Sequence, residues 1–446
     1  MPAPRLAILG IGCLAALSTL RAQTNWTLLT PTNSPPPFTA HAMGFFLPFN
    51  QTVLFGGVSG GVRSDQTWLF DGATWTQATP LTVPPARVAH TLVYDHVRIR
   101  LVMYGGIPAG GGLLGDTWEW DGVDWTLASP INSPGPRRSH AMAWCPALGK
   151  VVLWGGYSTL DLNDTWSWDG TDWTQITTAN APLPRRATDM TADPLTGGLV
   201  LFSGYQMPSD TWRFDGTNWA QLAPAHTPLP RYDHSLTTDT TRGRAVMFGG
   251  PNAADTWEWD GTDWLSRTPA TLPAARSDTY LTYDFVSEQV LMYGSVATAE
   301  TWRYAPTQPA TFVVSGTGCP GTAGTAAMAT TERPWLDRTF HVDFSPVPAN
   351  TIGLMLWGLS DTQSGLGPLP LPLGVIGMPG CDLQVDPVLI DAFLAVGNTA
   401  TWTLPIPNDP LLLGLTIFCQ GAAFDAAANT FGLVLANHGA MTLGGL

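Results

Sequence analysis

The chain of 446 residues carries 34 acidic and 20 basic side chains, a formal charge of −14, with Lys150 as its single lysine. No basic stripe is available to hold phosphates, so nucleic acid and anionic membrane surfaces are excluded as partners. Charged residues are only 12% while Gly, Pro and Trp are abundant, which suits many short strands joined by turns, and the length predicts two domains.

Residues 1–22 read as an export signal. Arg5 supplies the positive start, Leu6 to Leu20 an apolar stretch short for a membrane span, and Ala22 a small residue at the cleavage point. Reading Cys13 as a lipid-anchor site is disfavoured because the apolar run continues beyond it to Leu20. No other stretch is apolar enough to cross a bilayer, so the mature chain is expected to be secreted, periplasmic or at the cell surface.

From residue 23 to 308 a Thr-Trp pair recurs six times, at Trp68, Trp118, Trp166, Trp212, Trp257 and Trp302, each preceded by a carboxylate or its amide. The gaps are 50, 48, 46, 45 and 45 residues, a period that marks one supersecondary unit copied around an array. Each unit opens with a Pro-rich turn, followed in five units by an arginine, as in Arg87 to His90 and Arg137 to His140, and in the first by Phe38. A strand follows, then a second strand ending in a glycine pair (Gly56-Gly57, Gly105-Gly106, Gly155-Gly156, Gly249-Gly250), then the Thr-Trp strand, and finally a closing tryptophan at Trp75, Trp125, Trp173, Trp219 or Trp264. The sixth unit stops after Trp302 without its last strand, whereas Asn25-Trp26-Thr27 matches that missing strand. The N-terminus is therefore predicted to complete the final sheet and close a ring of six, leaving no unpaired edge.

Residues 118 and 120 share one face of their strand, so the tryptophans should be buried against the neighbouring blade. Each removes on the order of 150–250 Å² from water, about 4–6 kcal/mol gross at roughly 25 cal/mol per Å². Trp26, Trp68, Trp118, Trp166, Trp212, Trp257 and Trp302 are accordingly assigned a structural role. The glycine pairs are read as positions of close backbone approach near the ring axis or of positive φ.

The glycine doublet after an apolar strand, an aromatic strand and a closing tryptophan resemble kelch motifs over residues 24–305. The resemblance implies an all-β fold: a six-bladed kelch-type or galactose-oxidase-like β-propeller, with Thr-Trp standing where kelch strands more often carry a pair such as Val-Tyr. Residues 309–446, richer in Gly, Leu and Ala, read as a C-terminal antiparallel β-sandwich for anchoring or spacing. Their Gly318-Cys319-Pro320-Gly321 and Pro379-Gly380-Cys381 turns resemble a tail domain of exported planctomycete-type bacterial repeat proteins, which supports secretion and implies no chemistry. Of the cysteines beyond the signal, Cys319 and Cys381 are the favoured pair, both in Gly-Pro turns of one domain. Cys145 occupies the turn position of Asp95, Asp193 and Asp284 and is expected to be exposed; whether it meets Cys419 stays open.

Chemistry is sparse. There is no HExxH, no CxxC and no EF-hand loop, so no metal or other cofactor is implied and no catalytic residue is assigned. His41, His90, His140 and His234 share one repeat position, which argues for a structural task rather than a copper site. Arg87, Arg137, Arg185, Arg231 and Arg276 likewise share a position. They would either circle one surface and meet an acidic partner or glycan, or pair with the repeated Asp116, Asp164, Asp210 and Asp255. Ligand contacts are sought in the loops that vary between units, where Tyr157, Tyr205 and Met207 stand out. The sequence thus points to an exported, non-enzymatic binding or scaffold module for an extracellular protein or glycan. The alternatives are an extracellular carbohydrate-active enzyme of galactose-oxidase type and a structural cell-surface or adhesion protein. It carries no signal for oligomeric state.

Overall fold

A computed structural model describes residues 24–294, 298–307, 310–336, 338–365, 367–407 and 412–445; the export signal read at 1–22 lies outside them. The chain divides into two compact units, Thr24–Ala305 and the residues from Pro306 onward. The described residues are all-β, with two single-turn 3-10 helices.

The first unit holds six antiparallel sheets, the blades of a propeller. Blade 1 is ordered Ala42–Phe46, Gln51–Phe55, Thr67–Phe70, Trp75–Gln77, and blades 2 to 5 repeat this order from Thr91, Ala141, Asp189 and His234. In blade 6, Tyr280–Asp284, Gln289–Tyr293 and Thr301–Pro306 are completed by the N-terminal strand Thr24–Leu29. The first strands of successive blades touch one another around the axis, and that of blade 1 meets that of blade 6. Ring closure thus rests on one strand lent across the chain, as the leftover Trp26 predicts.

No blade has a core of its own. Six apolar clusters lie each between two adjacent blades, such as Val102, Tyr104 and Met142 with Trp168 and Trp173 between blades 2 and 3. The closing tryptophans Trp26, Trp75, Trp125, Trp173, Trp219 and Trp264 are at most 2% exposed. Each sends its indole N–H to the threonine of the preceding blade's Thr-Trp pair: Trp26 to Thr256, Trp75 to Thr301, Trp125 to Thr67, Trp173 to Thr117, Trp219 to Thr165 and Trp264 to Thr211, all at 2.9–3.0 Å. The tryptophan of the pair itself sits further out, half-buried at Trp166, Trp212 and Trp257. Its indole donates to the residue two positions earlier, as Trp118 does to Asp116 at 2.7 Å and Trp302 to Glu300 at 2.9 Å.

A second cycle runs at the axis. Ala40, Ala89, Ser139, Ala187, Asp233 and Asp278, each with positive φ of 51–56°, stand just before the six innermost strands. Each donates its backbone N–H to the carbonyl of its counterpart in the preceding blade, Ala40 to Asp278, Ala89 to Ala40 and so on around, at 2.9–3.1 Å. The first glycine of each pair makes its close approach to the next blade, and the second to the entry turn of its own blade. A β-carbon on Gly105, which has φ +66°, would lie 2.6 Å from the Arg137 carbonyl oxygen. The neighbouring Gly106 N–H bonds to that same oxygen at 2.9 Å.

In the second unit a five-stranded sheet, ordered Thr311–Ser315, Leu433–Thr442, Thr416–Phe424, Ile352–Gly358, Leu389–Leu394, shares one apolar core with a three-stranded sheet of Ala327–Ala329, Thr339–Ser345 and Ala400–Pro405. Trp357 and Trp402 meet edge to face at 4.3 Å within it. Cys319 and Cys381 form a disulfide. Cys145 and Cys419 are free thiols. Contrary to the expectation of an exposed turn, Cys145 is fully buried. The equivalent Asp95 and Asp193 are buried too, each turning its carboxylate inward to accept the N–H groups of its own turn, so that position points into the protein.

Candidate functional site

The repeated arginines are internal. Arg87, Arg137, Arg185, Arg231 and Arg276 are at most 6% exposed. Four of them make two-pronged bonds to a carboxylate of their own blade: Arg87 to Asp116, Arg137 to Asp164, Arg185 to Asp210 and Arg231 to Asp255, at 2.6–2.8 Å. Arg276 bonds Glu300 at 2.8 Å. Each guanidinium also donates to a backbone oxygen at the glycine pair, as Arg87 does to Gly105 at 3.0 Å. Burial raises the Asp116 carboxyl, but the Arg87 guanidinium and the Trp118 indole outweigh it and hold the acid below its ordinary range. These side chains are staples, so the reading in which they ring a ligand-facing surface is corrected: their donors are already spent inside the blades.

The four repeated histidines are buried as well. Burial drives His41, His140 and His234 down to about 3 and His90 well below its usual value, so the rings stay neutral. His140 bonds the Thr91 hydroxyl of the preceding blade at 2.7 Å. Among the described residues no group of three or more His, Cys, Asp and Glu is placed to hold a metal ion.

In blades 3 to 5 the residue immediately after the arginine and the first residue of the loop after the glycine pair reach solvent, whereas Val88 at the same position of blade 2 is buried. There these positions hold Arg138, Arg186 and Tyr232, and Tyr157 and Tyr205. They build one stack. The Arg138 guanidinium lies 5.0 Å from the Tyr157 ring centre, Arg186 sits 4.8 Å from Tyr157 and 4.4 Å from Tyr205, and Tyr205 meets Tyr232 edge to face at 5.1 Å. Arg186 is fixed further by Asp161 at 2.8 Å. All of these side chains are half-buried, with one side packed and the other open. Met207 lies in the turn after Tyr205, its N–H bonded to Gly204 at 3.2 Å, and none of the ring contacts of the stack involves it.

Toward the axis the stack is bordered by Asp233 and Asp278. Burial and the neighbouring Asp278 raise the Asp233 carboxyl to about 7, opposed by Arg138 and Arg186, and burial raises Asp278. The site therefore sets guanidinium groups and phenol rings beside a pair of reluctant acids. Aromatic and arginine side chains held rigid by stacking are the groups that dominate protein recognition energetics. Tyr157 and Tyr205 were identifiable because their loops vary between units. Arg138, Arg186 and Tyr232 were missed, although the same comparison at the position after the arginine (Val88, Arg138, Arg186, Tyr232, Ser277) would have exposed them.

The six four-stranded antiparallel sheets with their glycine pairs have the architecture of a kelch-type β-propeller. Residues 73–250 match the family model of the KLHDC2/KLHL20/DRC7 Kelch-repeats domain. No curated protein matches the chain. Among the described residues no helix is long and apolar enough to cross a membrane.

Proposed function

We propose that this chain is an exported, non-enzymatic scaffold that recognises an extracellular protein through the loop face of its propeller. The observation that carries the reading is the Arg138/Tyr157/Arg186/Tyr205/Tyr232 stack: a preformed, half-open run of aromatic and guanidinium groups spanning three blades. The kelch repeats agree with a protein-binding scaffold. Export is read from residues 1–22 and from the cysteine pair, and the second unit is assigned to anchoring or spacing.

The test compares the full chain with an R186A/Y205A variant against envelope proteins and a glycan array. The reading predicts that a protein ligand is lost from the variant while the protein stays folded, with a melting temperature within about 6 °C of the parent, since two half-buried surface substitutions should together cost no more than about 2 kcal/mol. Retention of every ligand by the variant refutes it. A glycan as the ligand lost would move the assignment to carbohydrate recognition, and stoichiometric copper in the purified protein would replace it with the oxidase alternative.

A further inference from the structure

The axis of the propeller is a blind channel. Its walls come from all six innermost strands and enclose about 400 Å³, within the span of small-molecule sites. At the loop face it is shut. Tyr280 of blade 6 reaches past blade 1 to donate its hydroxyl to the His90 carbonyl of blade 2 at 3.2 Å, and the ring of six backbone hydrogen bonds lies beyond it. Tyr280, Asp189 and Thr91 line both the channel and the small space under that ring, so they form its floor.

The opposite end is open and aromatic. Side chains from four blades form this lip: His96 touches Tyr94, Trp144 and Phe285, and Phe285 touches Phe45, at ring separations of 4.7–5.9 Å. The wall between mouth and floor is mainly aliphatic and threonine-rich. Among the residues lining the channel there is no arginine or lysine, and Asp189 is the one carboxylate. Its oxygens accept the Leu236 N–H at 2.7 Å, the Met190 N–H at 2.9 Å and the Ser235 hydroxyl at 3.3 Å, which leaves one of about four lone-pair sites of this channel-lining carboxylate unused.

We propose that this channel is a second binding site, separate from the loop face, for a small amine with an apolar or aromatic body. The aromatic lip and aliphatic wall match such a body, and π-faces also favour a cation on its way in. The floor offers a carboxylate without a competing cation, which matches an ammonium head and rejects an acid. The groups facing Asp189 are Ser235 and Leu236 from blade 5 and Tyr280 from blade 6, with His140, His234, Asp233 and Asp278 around the space beneath the ring. Burial lifts the Asp189 carboxyl to about 7, so an ammonium beside it stabilises the ionised form. Amine affinity should then rise about tenfold from pH 6 to pH 8, as the carboxylate becomes available.

Titration calorimetry on the full chain at pH 8 with phenethylamine, 2-phenylethanol and phenylacetate decides the matter. The expected result is that the amine binds at least tenfold more tightly than the alcohol or the acid. D189N should bring it down to the level of the alcohol, and A192W, which fills the mouth, should abolish it. No binding of phenethylamine, equal binding of the acid or the alcohol, or binding unchanged in A192W each overturns the proposal. Should D189N fail to fold, A192W and the comparison of pH 6 with pH 8 carry the same decision. Loss of the channel ligand with the loop-face partner retained, or the reverse, separates this site from the scaffold reading.

Discussion

Trp75 of the first blade donates its indole N–H to Thr301 of the sixth at 2.9 Å, joining residues 226 apart in sequence by the same bond that Trp125 makes to Thr67. The threonine of the repeated Thr-Trp pair is therefore an acceptor for the next blade's closing tryptophan. Thr301→Val keeps the shape and leaves that buried N–H without its partner, which costs about 1–3 kcal/mol. Trp26→Ala removes both the bond and the plug and should cost about 3–5 kcal/mol. Denaturant unfolding of the propeller checks both, and a smaller loss for Trp26→Ala than for Thr301→Val would contradict the closure role of Trp26.

Adjacent arginines should separate by function. Arg185 is fully buried and paired with Asp210, so Arg185→Ala leaves an uncompensated buried acid and should destabilise by about 3–5 kcal/mol. Arg186, one residue on and partly exposed, should change stability by less than about 1 kcal/mol. Parallel melts of the two variants test this, and equal losses would show the face arginine to be structural as well.

Gly105→Ala should destabilise by more than about 1 kcal/mol, since alanine is strained at φ +66° and its β-carbon would strike the Arg137 carbonyl. Gly60→Ala has positive φ but nothing within 4 Å of the added carbon, and should cost less. A melting series of the two variants separates strain from collision.

Stability should pass through a maximum near pH 6.5. The four buried histidines have folded pKa values below the ordinary 6.5, so the unfolded chain takes up protons first and stability falls as pH drops below about 6.5. Asp189, Asp233 and Asp278 are raised, the first two to about 7. The native state then holds protons that the unfolded state has released, so these acids weaken it as pH rises toward 7. Below 6.5 the histidines outnumber them, and from 6.5 to about 8 the acids dominate. Scanning calorimetry from pH 4 to 8 should show the decline on the alkaline side, and D189N/D233N should reduce it; a melting point still rising through pH 8 would disprove the assignment.

Reduction should act on the second unit. The Cys319–Cys381 bond closes a loop of 62 residues, for which chain entropy gives roughly 4 kcal/mol. Adding reductant should lower an unfolding transition that C319S also lowers, and leave the transition affected by Trp26→Ala in place.

Much of this architecture is written in the repeat. Recurrence of the Thr-Trp pairs every 45–50 residues, with Trp26 left over at the start, specifies sheets and closure because identical residues recur wherever blades touch. The arginine–aspartate staples were one of two readings open from sequence, since regular spacing alone does not say whether a charge faces inward. The stack and the channel were harder to see. Both are built from residues that differ between blades, and the channel floor depends on Tyr280 reaching across an intervening blade, a contact that no spacing within one unit encodes.

The six-residue ring at the axis has a further consequence. All its hydrogen bonds run in one sense, each N–H toward the preceding blade, so the peptide dipoles form a closed circuit in which every bond polarises the next. A circuit of this kind has no terminal donor or acceptor. Losing one copy would strand a donor on one side of the gap and an acceptor on the other, so blade number is fixed at the centre of the disc as well as at its tryptophan-filled seams.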